Sequence, residues 1–195
     1  MESEAGRVLL ERAKAGSSEA LGALLEHSAR RLLALVRLRL GPGLRARLES
    51  RDILQATLLK ALERFGHFEG NQVGPLMSWL ARIAENEIRD QADFHGAQRR
   101  DAARAVPLET SPGVERVAAQ VRSQTSRIAL GEQLERLERA LEGLEPDQRE
   151  VVILRRLEEL SFPEIAPRLG RSTDACRMLF ARAMTKLTLA LGEEP

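Results

Sequence analysis

Apolar residues return at three- and four-residue intervals along most of this 195-residue chain, the period of a helix with one buried side. The longest stripe runs through Leu21, Leu24, Leu25, Ala29, Leu32, Leu33, Val36 and Leu40, with Arg30, Arg31, Arg37 and Arg39 facing outward. Ser17 is placed to cap this helix, and Gly41-Pro42-Gly43 to stop it. A shorter helix is expected before it, over Arg7–Lys14, with Val8, Leu9 and Arg12 to one side. A third should begin near Ser50, burying Ile53, Leu54, Thr57, Leu58, Ala61, Leu62 and Phe65 and presenting Asp52, Gln55, Lys60 and Glu63. The glycines between Gly66 and Gly74 break the pattern. Pro75 then opens a fourth stripe of Leu76, Trp79, Leu80, Ile83 and Ala84, which ends around Phe94-His95-Gly96. The sole tryptophan sits in that stripe, as a core anchor would.

Residues 97–126 lose the period and contain Pro107 and Pro112, as an interdomain linker does. Helical spacing resumes near Ile128 with Leu130, Leu134, Leu137, Leu141 and Leu144, restarts at Glu145-Pro146-Asp147, and continues through Val151, Val152, Leu154 and Leu157. Leu160–Leu187 then reads as two short helices around a tight turn. Ser161 and Glu164 form a capping box, Ile165, Ala166 and Leu169 a buried stripe, and Gly170 supplies a left-handed stop. Ser172 caps the second helix, which buries Ala175, Cys176, Leu179, Phe180, Ala183 and Leu187 and leaves Thr173, Arg177, Met178, Ala181 and Arg182 outside. This is the signature of a helix-turn-helix, whose second helix enters the major groove. An ordinary helical hairpin shares the stripe but does not require the cationic outer face. Pro167 lies inside the first helix, where it removes a hydrogen bond and should bend the axis.

No alternating β-branched run occurs and Tyr is absent, so the fold class is all-α: two small helical domains, 5–96 and 127–192, on a linker. The formal net charge of +1 obliges any nucleic-acid binder to localise its cations. Arg171, Arg177, Arg182 and Lys186 against Asp174 do so on the last helix. Whether each arginine grips a guanine or a phosphate stays open at this level. Arg99 and Arg100 could track a DNA backbone or be solvated charge. The single cysteine excludes an internal disulfide, and neither an apolar leader nor a run long enough to span a membrane is seen; a cytoplasmic protein without membrane insertion is expected.

Two stretches together carry a family resemblance. LEGLEPDQREVVILRRLEELSFPEIAPRLGRSTDACRMLFARAMTKL resembles region 4 of sigma factors. SRDILQATLLKALERFGHFEG followed by SWLARIAEN resembles their region 2. With only these two regions, in this order, the chain resembles the extracytoplasmic-function (ECF) group of the sigma-70 superfamily. That resemblance implies contact with the clamp of core RNA polymerase through Asp52 and Gln55. Ala56 stands where the family usually has Glu. It implies minus-10 recognition through the loop containing Asn71 and the helix carrying Trp79 and Asn86, with Arg99 and Arg100 beside them. It implies minus-35 recognition through Arg171, Ser172, Thr173, Arg177, Met178, Ala181 and Arg182. Leu179 replaces a family Arg, which bears on the upstream sequence preferred. Asn86 admits two readings: a satisfied helix residue, or an amide that reads the Watson–Crick edge of an extruded base.

The partners implied are core polymerase, promoter DNA and, in some members, an anti-sigma factor; no cofactor is implied. Catalytic constellations are missing: His27, His67 and His95 are scattered, and no phosphate loop or nucleophile elbow occurs. Cys176 falls on the buried stripe, where packing is its expected role. The chain should therefore direct an enzyme rather than be one. Two rival readings are a stand-alone helix-turn-helix regulator and a sigma mimic that binds only an anti-sigma factor. The first predicts binding to duplex DNA without polymerase, and the second predicts loss of the cationic groove face.

Overall fold

The computed structural model describes residues 4–45, 47–70, 73–97 and 132–192, together with Ala119. It divides into two compact units, Met1–Ile128 and Ala129–Pro195. All regular structure among the described residues is helical. The linker expected over 97–126 lies outside them except at Ala97 and Ala119, as does the helix start expected near Ile128.

The first unit is built on α2 (Ser18–Arg45), against which α1 (Glu4–Lys14), α3 (Ser50–Arg64) and α4 (Val73–Ala97) all pack. Being surrounded explains why α2 buries the whole of Leu32–Val36 rather than a single stripe. Each such Leu is worth about 1.5–3 kcal/mol of burial. Ser17 caps the helix as its sequence predicts, its Oγ accepting the Ala20 N–H at 3.2 Å. The stop at Gly41 is real (φ 59°, ψ 173°), but one more helical turn follows it, to Arg45. Helix α1 buries Gly6, Leu10 and Ala13, while Val8 is exposed. The side marked by Val8, Leu9 and Arg12 is thus not its core face. Helix α3 buries six of the seven positions its spacing predicts, from Ile53 to Leu62, and the seventh, Phe65, is buried in the 3-10 turn that follows (Phe65–His67).

The second unit contains α5 (Glu132–Glu142), α6 (Pro146–Val152), a π-helical turn (Ile153–Leu157), α7 (Phe162–Leu169) and α8 (Thr173–Gly192). Its core gathers Leu141, Leu144, Val151, Val152, Ile153, Leu154, Ile165, Cys176, Ala183 and Leu187. The π-turn has no sequence signal. Arg149 ties the α5–α6 corner: its guanidinium donates to the carbonyls of Leu141 and Glu142 at 3.0 Å each and of Leu144 at 3.4 Å, satisfying acceptors a helix end leaves open. Helix α7 runs through Pro167, which is exposed; the cost there is the one bond from residue 167 to the carbonyl of residue 163.

Candidate nucleic-acid interface

The helix-turn-helix forms where the sequence places it. Glu164 accepts both the Ser161 N–H at 2.7 Å and the Ser161 hydroxyl at 2.6 Å, completing the capping box of α7. These bonds favour the charged carboxylate and hold its pKa below the ordinary value. Gly170 ends α7 in the left-handed conformation (φ 60°). A side chain there would cost about 1–2 kcal/mol. Ser172 caps α8 by accepting the Ala175 N–H at 3.1 Å. Cys176, Ala183 and Leu187 form the narrow buried seam of α8, so Cys176 packs as expected.

Arg177, Met178, Ala181 and Arg182 lie exposed on α8, as do Arg171 and Ser172 in the turn before it, while Thr173 is half-buried. The cationic surface is smaller than composition suggests. Arg171 pairs with Asp147, its Nε 3.2 Å from the carboxylate, while Lys186 keeps its charge and donates to the neutral Gln148 amide at 3.0 Å. Arg177 donates to Asp174 at 2.6 Å and lies 5.9 Å from the centroid of the Phe162 ring. Arg182 has no ion pair, hydrogen bond or ring contact among the described residues.

Residues of the first unit fall into three groups. Asn71, Arg99 and Arg100 lie outside the described residues. Asp52 is exposed on the first turn of α3, and Gln55, one turn on, is half-buried. Trp79 and Asn86 sit on α4. Trp79 is half-buried and packs against Phe68 and Phe65, at centroid separations of 5.3 and 6.4 Å. A Cβ on Gly70 would collide with the Phe68 ring and with Pro75, so glycine is needed for the chain to close over this cluster. Asn86 is exposed, its Oδ1 accepting from Arg89 at 3.2 Å.

Several residues that hold these positions escaped sequence reading. Glu87 is buried and ion-paired with Lys60 of α3, while its neighbour Glu85 meets Arg39 of α2 at 3.2 Å. These pairs flank Asn86 and fix the rotation of α4. Lys14 reaches from α1 to donate to the Glu69 carbonyl at 3.3 Å, its ammonium 5.6 Å from the Phe68 centroid. Around the helix-turn-helix, Phe162 and Phe180 meet edge to face at 5.7 Å, and Arg155 and Arg156 lie 5.2 and 5.6 Å from the centroids of Phe162 and Phe180 respectively. A buried Glu amid polar helix residues carries no mark of its partner, and partners distant in sequence have no spacing to reveal them.

Known proteins converge on the same reading. The family described as sigma-70, region 4 matches residues 134–187, the span from α5 to the buried end of α8. The ECF RNA polymerase sigma factor SigD of Mycobacterium tuberculosis is 31% identical over 187 residues, covering 96% of this chain and 84% of that protein. The RNA polymerase sigma factor CarQ of Myxococcus xanthus is 32% identical over 151 residues, 73% of this chain and 74% of that one. Among solved structures, CnrH in complex with the cytosolic domain of CnrY superposes with a TM-score of 0.50 at 26% identity, covering 98% of this chain and all of that one. No helix among the described residues is long and apolar enough to cross a membrane. A capped helix-turn-helix following a helical unit that carries the region 2 pattern, together with a relative matched across nearly the whole chain, leads to one family: this chain belongs to the ECF RNA polymerase sigma factors.

Proposed function

We propose that this sigma factor reads promoters at two points, with the exposed face of α8 on the minus-35 element and the Trp79–Asn86 side of α4 on the minus-10 strand. The observation that carries the upstream half is the exposure of Arg177, Met178, Ala181 and Arg182 on one face of a helix whose other side is the buried seam Cys176–Ala183–Leu187. In a helix-turn-helix that free face is the one that enters the major groove. Met178 offers an apolar contact to a thymine methyl, and the arginines offer donors to guanine or phosphate. Thr173 and Ser172 stand at the helix start, close to base edges and backbone. Arg171 exchanges Asp147 for phosphate at the cost of an exposed pair worth about 0–1 kcal/mol.

In the first unit, the exposed Asp52 and half-buried Gln55 of α3 form the core polymerase contact. Asn71, Arg99 and Arg100 extend the minus-10 surface along the strand. The chemistry of RNA synthesis belongs to the polymerase that this chain directs, in the cytoplasm. A sequestering partner is a second reading, favoured by the solved CnrH being held by the cytosolic domain of CnrY.

Run-off transcription with purified core polymerase and a library of genomic fragments tests the proposal. Specific transcripts that require this chain, and that fall when Asp52 and Gln55 are both replaced by Ala, are expected. Tight binding to a palindromic duplex without polymerase, and no specific start with it, would restore the stand-alone regulator.

A further inference from the structure

Arg177 and Arg182 share the exposed face of α8, yet the structure treats them differently. Arg182 is untethered among the described residues. Arg177 is held twice, by the Asp174 carboxylate at 2.6 Å and by the Phe162 ring 5.9 Å away on the preceding helix. That ring is itself fixed. Phe180 meets it edge to face at 5.7 Å, and Arg155 lies 5.2 Å from its centroid while donating Nη1 to the Leu160 carbonyl at 3.0 Å. The half-buried ring is thus contacted by Phe180 and Arg155 as well as by Arg177. Asp174 is largely exposed and its bond to Arg177 is screened, so the ring is a second anchor of comparable size.

Direction matters differently for the two contacts an arginine can make. A phosphate accepts a cation from many angles, so a mobile side chain serves. A guanine edge demands a guanidinium fork in one plane, and a side chain pre-set in that plane loses less entropy on binding.

We propose that Phe162 is a specificity-determining positioning residue: it presets Arg177 to read one guanine of the minus-35 element, while the untethered Arg182 serves the backbone. The inference rests on the assignment of α8 to the groove. Phe162 touches no base. Its effect passes through the plane of Arg177, so it governs discrimination at a single position and not overall affinity.

The test selects promoters from a library randomised across the upstream element, using holoenzyme assembled from core polymerase and the full chain. Arg177→Ala should flatten the guanine preference at one position by about tenfold or more. Phe162→Leu, which keeps the apolar volume but removes the ring, should weaken that same preference about fivefold, leaving the other positions and the total transcript yield unchanged. Phe162→Tyr should restore it. In the Arg177→Ala background, Phe162→Leu should add nothing. A uniform loss across all positions in Phe162→Leu, or an unchanged guanine preference, overturns the role of Phe162. No preference lost in Arg177→Ala instead removes Arg177 from the base-reading set, a separate failure. Circular dichroism checks each variant. If Phe162→Leu fails to fold, Phe162→Trp decides, since a larger ring must keep the preference and its loss in a folded variant overturns the proposal.

Discussion

The two helices proposed to read promoter DNA are supported in opposite ways. Helix α4 is a core element: Leu76, Met77, Leu80, Ala81, Ile83, Ala84 and Ile88 are buried along it, and Asn86 is a polar edge lent by that core. Helix α8 is twenty residues long and buries only Cys176, Ala183 and Leu187. It lies on its unit rather than in it. The side chains around Asn86 and Arg177 follow suit. Asn86 is flanked by ion pairs that cross between helices, Arg39–Glu85 and Lys60–Glu87. Arg177 is held by a carboxylate one turn away and a ring on the preceding helix. Damage around α4 should therefore appear first as lost stability, and damage around α8 as lost discrimination in a protein that is still folded.

The sharpest test of that contrast is Lys60→Ala. It strands the Glu87 carboxylate, whose side chain is only 5% exposed. Breaking a fully buried pair costs about 3–5 kcal/mol and an exposed one about 0–1. Lys60 keeps 36% of its side chain in water, so a loss of about 2 kcal/mol is expected. Trp79 is the only tryptophan and lies in this unit, so its fluorescence during urea unfolding reports the change directly. Arg177→Ala, measured beside it by circular dichroism, should fall within about 0.5 kcal/mol of the parent. Equal losses in the two variants would erase the distinction between the helices.

Asn86→Ala sharpens the comparison from the other side. The residue is exposed and its one described bond is to Arg89, so stability should change by less than about 0.5 kcal/mol. Core binding and closed-complex formation should persist while melting of the minus-10 region falls several-fold. Permanganate reactivity of thymines in open complexes measures this. Unchanged reactivity would return Asn86 to the role of a helix-surface residue.

The sequence exposed periodic and local features, and concealed those formed across distance. The six buried positions of α3, the capping box at Ser161, the left-handed Gly170 and the exposed face of α8 all follow from spacing within one helix or from chemistry within a few residues. Helix α1 departs from its spacing because eleven residues carry two competing apolar sides, and α2 packs on the one with small Gly6 and Ala13, which allow close approach. The bond from Lys186 to Gln148, 38 residues earlier, leaves no mark in the spacing of either helix. The sequence offers no signal for Phe162, since nothing local says that Phe180 and Arg177 will close on it.

The smallest expected effect concerns the cap that starts the helix-turn-helix, and it depends on pH. The bonds from Ser161 to Glu164 stabilise the ionised carboxylate, lowering its pKa from the ordinary 4.5. A group whose folded pKa is depressed contributes stability that is complete above its unfolded value and is lost as pH falls through the folded one. The contribution of Glu164 is thus intact at neutral pH and disappears below 4.5 as the carboxyl takes up its proton. Gln at the same place can still accept the Ser161 N–H but does not titrate. Glu164→Gln should match the parent within a few tenths of a kcal/mol near the bottom of that window and fall short of it by up to about 1 kcal/mol near neutrality. Because the other carboxylates are common to both proteins, the difference between their unfolding curves from about pH 6 to about pH 3 isolates this one group. The second unit holds no tryptophan, so far-ultraviolet circular dichroism is the probe. A difference that stays constant across that range would mean that the cap acts through its geometry alone, with the charge on Glu164 contributing nothing.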